Sequence, residues 1–504
     1  MFFLVRVFII SFNKFRKRKI AFMDISVKNK IKSIVGQENY FDSFEDRLVY
    51  SYDGTPVIHQ MPEAVVFPKD EEQISRILEL ANNVKFNVVP RGAGTGLSGG
   101  SVPTENSVVV VMTRWNKILE IDEKNLTATV QPGVVTGVLQ KEVEKIGLFY
   151  PPDPGSLNVC TIGGNVANNA GGLRGLKYGV TKNYVLGVEM VLPDGKFLRT
   201  GGKNMKDVAG YNLRDFIVGS EGTLGIITKV LLKLIPKPTK SITILAFFDK
   251  LTDSAQAVSD IIAAKITPAM MEFLDNTTIN CVEDYTKIGL PRNVEALLLI
   301  EVDGRGSEVK DDAETIKFIL KKNKAVAVRE AFDEAQANIL KTARRSAFSA
   351  LARKMPTTIL EDATVPRSEL PVMIEKIVKA SKMFDVMIGN FGHAGDGNLH
   401  PTALTDEREQ KELDKAYRAF DYIFDEAIKL GGTITGEHGT GLAKKQFLEK
   451  VTGPVGLDMM MRIKKAIDVN NILNPGKIFS LSPRCEGTLP RKREQIKNFD
   501  ENFS

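Results

Sequence analysis

Cysteine is nearly absent from this chain. Only Cys160, Cys281 and Cys485 occur in 504 residues, far apart and without paired spacing. That excludes a disulfide framework and a cysteine-held metal or iron–sulfur site, and it suits a reducing, cytoplasmic compartment. Long apolar runs are missing too. Met1 to Ile10, apolar except for Arg6, is too short to span a bilayer, which needs about 20 residues. Excess charge is confined to one place: Arg6, Lys14, Arg16, Lys17, Arg18 and Lys19, with no acid in residues 1–22, account for the whole net charge of +6. Residues 23–504 are therefore neutral overall, which excludes a general nucleic-acid-binding surface.

In residues 1–22 the apolar stretch precedes the basic one, the reverse of a secretory signal, and no small-residue cleavage site follows. Two readings stay open: a short interfacial anchor with a polybasic flank, giving peripheral membrane association, or an extension ahead of a chain opening at Met23.

Length and composition, 504 residues with 43% hydrophobic and 26% charged, suit a globular protein of two or three domains. From Met61 the pattern is mixed α/β. Ala64–Phe67 and Asn87–Pro90 read as strands around a capped helix over Asp70–Asn82, and Ser107–Met112 reads as a buried parallel strand. Strands follow at Val185–Leu192 and Thr223–Leu234, and Pro236-Lys-Pro238 signals a linker. Beyond it, strands at Ser241–Phe248 and Val294–Val302 with amphipathic helices at Leu251–Ala264 and Ser307–Lys321 predict a helix-backed antiparallel sheet. Asp385–Phe391 and Asn398–Ala403 predict a hairpin, and Lys411–Leu430 and Gly456–Ile472 predict helices, with Met459-Met-Met461 filling core.

Glycine is what this chain has in abundance. Pro90-Arg91-Gly92-Ala93-Gly94-Thr95-Gly96-Leu-Ser-Gly99-Gly100 contains a formal G-x-G-x-x-G, with Glu120 at a ribose-binding distance. A Rossmann unit needs a helix at the last glycines, but Ser101-Val-Pro-Thr-Glu-Asn106 cannot open one. What remains is a nest of backbone amides suited to an anion such as pyrophosphate. Pro151–Ser156 with Thr161–Gly172, and Gly219–Thr228, repeat the pattern. Three such loops imply a large ligand held along its length.

Three of only four histidines fall in two short motifs, Phe391-Gly-His393-Ala-Gly-Asp-Gly-Asn-Leu-His400-Pro and Gly436-Glu437-His438-Gly439. Two imidazoles bracketing a tight turn, with a carboxylate and imidazole elsewhere, form a ligand set for a borderline divalent metal with one histidine left as a base. His59 has no assigned role.

In the order of its loops, its histidine motifs and Asn474-Pro-Gly-Lys-Ile-Phe479, the chain resembles the FAD-linked 2-hydroxy-acid dehydrogenases, the family of the glycolate oxidase FAD subunit, D-lactate dehydrogenase and D-2-hydroxyglutarate dehydrogenase. The resemblance runs from about Tyr40 to Phe479. It implies an α+β fold: an FAD-binding domain of the vanillyl-alcohol-oxidase/p-cresol-methylhydroxylase type and an antiparallel-sheet substrate cap with C-terminal helices. The implied divisions are a 1–30 extension, a 31–238 FAD-binding domain, a 239–430 cap, a 431–481 segment returning to the flavin site, and a 482–504 tail.

By the same resemblance, non-covalent FAD would contact Arg91, Gly92, Ala93, Gly94, Thr95, Gly96 and Gly99 in the first loop. Gly155, Ser156, Thr161, Gly163, Gly164 and Asn168 would line its pyrophosphate and isoalloxazine, and Gly219, Glu221, Gly222, Gly225, Ile226 and Ile227 would support it from the other side. His393, His400 and Glu437 would hold a divalent metal, zinc or similar, and His438 would be the base. Arg344, beside Arg345, would clamp the substrate carboxylate, the alternative being a solvated helix-face pair. Where D-2-hydroxyglutarate enzymes carry a further lysine, this chain has Leu360-Glu361-Asp362, which favours a small monocarboxylate such as lactate or glycolate. The expected reaction passes hydride from C2 to flavin N5 and leaves a 2-oxo acid.

Two other functions compete. A subunit that only relays electrons has no need of the histidine motifs, and a metal hydrolase has no need of the flavin loops. Without iron–sulfur cysteines, electrons would leave through an external acceptor or a partner iron–sulfur subunit; self-association into an oligomer stays open.

Overall fold

The computed structural model describes residues 23–480. Four strands, β1 (Tyr40–Phe41), β2 (Ala64–Val66), β3 (Asn87–Arg91) and β4 (Ser107–Val111), pair in the order β1-β2-β4-β3. β2 and β3 run parallel to β4, and all of β4 is buried. Its unbroken valines suit a strand covered on both sides. Val108 and Val110 pack with Ile74, Ile77 and Leu78 of the helix Glu71–Val84, while Val109 and Val111 pack with Val65, Phe67 and Val89. Asp70 caps that helix by accepting the Gln73 N–H at 2.8 Å.

Next come β5 (Ile118–Asp122), β6 (Thr127–Val130), β7 (Leu148–Phe149), β8 (Val185–Val191), β9 (Phe197–Gly201), β10 (Ile226–Lys233) and β11 (Ile235–Pro236). Five of them form an antiparallel sheet, β5-β6-β10-β8-β9, and β7 pairs with β11.

The third sheet comprises β12 (Lys240–Phe248), β13 (Met270–Asp275), β14 (Ala296–Gly304), β15 (Ala327–Glu330), β16 (Thr357–Leu360), β17 (Ala363–Thr364), β18 (Met387–His393) and β19 (Asn398–Thr405). Its order is β15-β12-β14-β13-β18-β19-β16, with β17 also on β19 and every pair antiparallel. Ile244, Ala246 and Phe248 face Val258, Ile261 and Ile316 of two covering helices, whereas Leu245 and Phe247 face Ile279, Val282 and Leu351. The period of two along β12 thus puts helices on both faces of this sheet. The whole is α+β, as the sequence implies.

Three expectations need correction. The 1–30 extension ends sooner, because Met23 is buried and Asp24 caps a helix over Ile25–Val35 that packs Ile31, Ile34 and Val35 into the first core. The helix expected over Gly456–Ile472 instead covers Leu448–Ile467 with a kink at Gly453. It stops where the Asp468 carboxylate turns back to accept the Ile472 and Leu473 N–H groups. Its methionines are not core, since Met459 is 59% exposed. Residues 1–22 and the 482–504 tail lie outside the described residues.

After that helix the chain returns to the first sheet. Leu473 bridges Val88 in parallel, Asn474 Nδ2 donates to the Gly100 and Glu221 carbonyls, and Lys477 Nζ donates to the Val102 carbonyl.

Candidate active site

A cavity of about 610 Å³ runs between the glycine loops and the β18–β19 hairpin. Arg91, Gly92, Ala93, Gly94, Thr95 and Gly96 line it, with Gly155, Ser156, Thr161, Gly163, Gly164 and Asn168, and with Glu221, Gly222, Gly225, Ile226 and Ile227. Such a wall offers backbone amides at close range, which suits a pyrophosphate-containing ligand. Two expected residues lie outside the wall. Gly99 donates its N–H to Thr55 Oγ1 at 2.6 Å and faces Leu442, and the Gly219 N–H is spent on the Val166 carbonyl at 2.9 Å. Glu120 pairs with Lys203 on the surface, at 2.8 Å, so its ribose-like spacing is coincidental.

At the far end of the cavity stand Arg344, His393, His400, Glu437 and His438. His393 ends β18 and His400 lies on β19; the register sets His393 opposite Asn398 and Phe391 opposite His400. The connection is short because Gly397 adopts φ +81°, where a side chain would strike the Val365 carbonyl. Both imidazoles consequently face Glu437: His393 Nε2 lies 3.2 Å and His400 Nε2 3.3 Å from Glu437 Oε1. Ligand atoms around an ion with bonds of about 2.1 Å stand roughly 3.0–3.4 Å apart in octahedral or tetrahedral geometry, so these spacings fit a divalent cation.

The charge balance fits as well. Glu272, Glu361, Asp362 and Glu437 cluster here, with Arg344 beside Glu272 and Lys444 beside Glu361 and Asp362. Glu272 is fully buried; its Oε1 lies 2.8 Å from His393 Nδ1 and its Oε2 2.6 Å from Arg344 Nη2. The carboxylate at Nδ1 leaves Nε2 free to face Glu437, the usual outer support of a metal-binding imidazole. Burial opposes charge on His393, but Glu272 and Glu437 outweigh it and hold its pKa well above the ordinary value. Burial would likewise raise Glu437, yet His393 and His400 keep it well below the usual range.

The neighbours Glu437 and His438 reach one site because their loop is sharply bent. Asp362 Oδ2 accepts from Thr435 Oγ1 at 2.7 Å and from the N–H groups of Gly436, Glu437 and His438 at 2.8, 2.9 and 3.0 Å. From the opposite side, Asn168 Nδ2 donates to the Glu437 carbonyl at 2.6 Å and Ser98 Oγ to the His438 carbonyl at 2.9 Å. Glu221 accepts the Thr440 and Gly441 N–H groups, each at 2.7 Å. Its carboxylate and the Asn168 amide therefore serve this loop. Gly439, at φ +84°, has Asn168 Oδ1 2.5 Å from where a Cβ would sit. His438 stacks on His400 with ring centres 4.9 Å apart. Burial first, then His400 and the Lys444 ammonium, push its pKa down to about 4 against the pull of Asp362, so it is a neutral imidazole near pH 7.

Arg344 is no solvated surface residue: it is 5% exposed, and its guanidinium lies 4.8 Å from the Phe391 ring centre. Arg345 pairs instead with Asp153, at 2.7 Å. Of Leu360-Glu361-Asp362 only Leu360 borders the cavity. His59 is exposed and outside it. Sequence reasoning missed Glu272 and the role of Asp362. Their signal was present: Glu272 interrupts Met270-Met-Glu-Phe-Leu274, an otherwise apolar strand in which an acid must have a partner.

Comparison with known proteins agrees with this architecture. A family profile described as "FAD binding domain" matches residues 62–201, and one described as "FAD linked oxidases, C-terminal domain" matches 237–478. Glycolate oxidase subunit GlcD of Bacillus subtilis is 54% identical over 91% of this chain and 97% of its own length. A D-lactate dehydrogenase of Anaerostipes hadrus is 35% identical, covering 83% of this chain and 89% of its own. A substrate-bound crystal structure of p-cresol methylhydroxylase superposes with a TM-score of 0.73 over 90% of this chain and 97% of its own, at 18% identity, so the two share a fold.

Proposed function

Because this chain belongs to the FAD-linked oxidase family that includes glycolate oxidase subunit GlcD and D-lactate dehydrogenase, we propose that it oxidises a small 2-hydroxy acid, D-lactate or glycolate, to the 2-oxo acid with a divalent metal's assistance. It is an oxidoreductase, and its cofactor is FAD. The observation that carries the finer reading is the meeting of His393, His400 and Glu437 at the end of the glycine-lined cavity.

His393, His400 and Glu437 would hold the metal. Arg344, which borders the cavity beside His393 and His438, would take the substrate carboxylate, which a guanidinium matches in shape and charge. His438, neutral, takes the hydroxyl proton. With a pKa near 4 it is a weak base for a free alcohol. When bound, the metal would acidify the hydroxyl and FAD would accept the hydride.

GlcD is named as a subunit, and three scattered cysteines cannot hold a cluster, so the reading assigns electron transfer out of the flavin to a partner subunit or external acceptor. Among the described residues no helix is long and apolar enough to cross a membrane. The reading places the enzyme in the cytoplasm, with residues 1–22 as its one candidate contact with the inner membrane face.

The test is anaerobic flavin bleaching across D-lactate, glycolate and related acids, with Zn²⁺ or Mn²⁺ supplied, after chelation, and in His438→Ala. Bleaching by one small 2-hydroxy acid that chelation and the substitution both abolish is the expected result. Flavin that stays oxidised with every acid would favour an electron-relay subunit; reduction untouched by chelation would remove the metal.

A further inference from the structure

We propose that Asp362 is the positioning residue of this site, holding the Glu437–His438 bend and setting the orientation of two imidazoles at once. The inference rests on the metal reading above and concerns a residue that touches neither cation nor substrate in it.

Three observations carry it. First, one oxygen, Oδ2, collects four donors from four consecutive residues, Thr435 to His438, within 2.7–3.0 Å. Consecutive N–H groups converging on one acceptor require the chain to wrap around it, which brings adjacent side chains to one site where an extended strand would separate them. Second, the stacked rings of His400 and His438 share a polarity. Nδ1 of each points towards Asp362, at 3.8 and 4.0 Å, while Nε2 of each points towards Glu437, at 3.3 and 3.7 Å. A carboxylate on that side favours Nδ1–H in both rings and turns both Nε2 atoms to the site. Third, Asp362 Oδ1, His400 Nδ1 and His438 Nδ1 are buried and lack hydrogen-bond partners, so these groups answer chiefly to one another. Asp362 is fully buried, and Lys444, 3.9 Å away and also fully buried, supports its charge.

Asp362→Asn keeps the shape and can still accept from the loop, but it removes the charge that orients the two rings. The full-length holoprotein is titrated with Zn²⁺ against a chromogenic chelator, alongside flavin content, thermal midpoint and anaerobic flavin reduction by the best substrate. The expected result is a roughly 10–100-fold weaker Zn²⁺ affinity, with the limiting rate of flavin reduction falling about tenfold or more, while flavin content holds. Thr435→Val, which deletes one donor and no charge, should shift both in the same direction by less, and serves should Asp362→Asn fold poorly. Wild-type protein that binds Zn²⁺, with both variants of equal affinity and rate, overturns the proposal alone. Wild-type protein that binds no Zn²⁺ overturns the metal reading and this inference with it.

Discussion

Glu272→Gln and Glu38→Gln each remove one charge from an ion pair of the same 2.6 Å length, and burial alone predicts opposite outcomes. Glu272 and Arg344 are 0% and 5% exposed in their side chains, whereas Glu38 and Lys69 are 64% and 58% exposed. Breaking a buried pair strands the other charge, at a cost of about 3–5 kcal/mol. Arg344 borders the cavity, where water can reach part of its guanidinium, so the lower end, about 3 kcal/mol, is the working value. The 2.8 Å contact to His393 loses its charge even where the amide oxygen still accepts from Nδ1, which adds to it. The Glu38 pair sits in water and is screened, so its loss should leave stability unchanged within measurement. Urea unfolding of the two holoprotein variants followed by far-ultraviolet circular dichroism gives the comparison. A clear drop in midpoint for Glu272→Gln with none for Glu38→Gln is expected; equal shifts would refute the argument from burial.

Two further outcomes follow from the same geometry. Protonation removes His438 as a base, and its depressed pKa moves that loss down from about 6.5 towards 4, leaving roughly 90% of it neutral at pH 5 against about 3% for an ordinary imidazole. Flavin reduction measured by stopped flow should therefore stay nearly flat from pH 7 to pH 5, and an acid limb centred at 6.5 would contradict the assignment. Gly439→Ala must place a Cβ 2.5 Å from Asn168 Oδ1 at φ +84°, so it should displace the base and slow reduction at least tenfold while flavin remains bound.

Local chemistry made some elements legible from sequence. The hairpin, expected over Asp385–Phe391 and Asn398–Ala403 and found at Met387–His393 and Asn398–Thr405, the Asp70 cap, and the buried strand expected over Ser107–Met112 and found at Ser107–Val111 each depend on neighbours a few residues away. The helix Leu448–Ile467 was misjudged at both ends because apolar spacing does not reveal that Asp468 ends it or that Met459 faces solvent. The resemblance assigns residues of all three loops to one ligand; Asn168 and Glu221 line the cavity while their side chains also hold the Glu437–Gly441 loop, and Gly99 and Gly219 lie outside the wall with their N–H groups engaged elsewhere.

The sequence by itself determined the kinds of chemistry present: backbone-rich loops for a large anionic cofactor, and a scarce set of imidazoles beside a carboxylate. Those depend on residue type and short spacing. Only the tertiary structure decided how the set is held. Glu272 meets His393 across 121 residues, Asp362 gathers a loop 73 to 76 residues away, and Asn168 reaches Glu437 across 269. Such contacts follow from strand order and loop closure, which bring distant residues together through the packing of the whole chain and leave little trace in local sequence pattern.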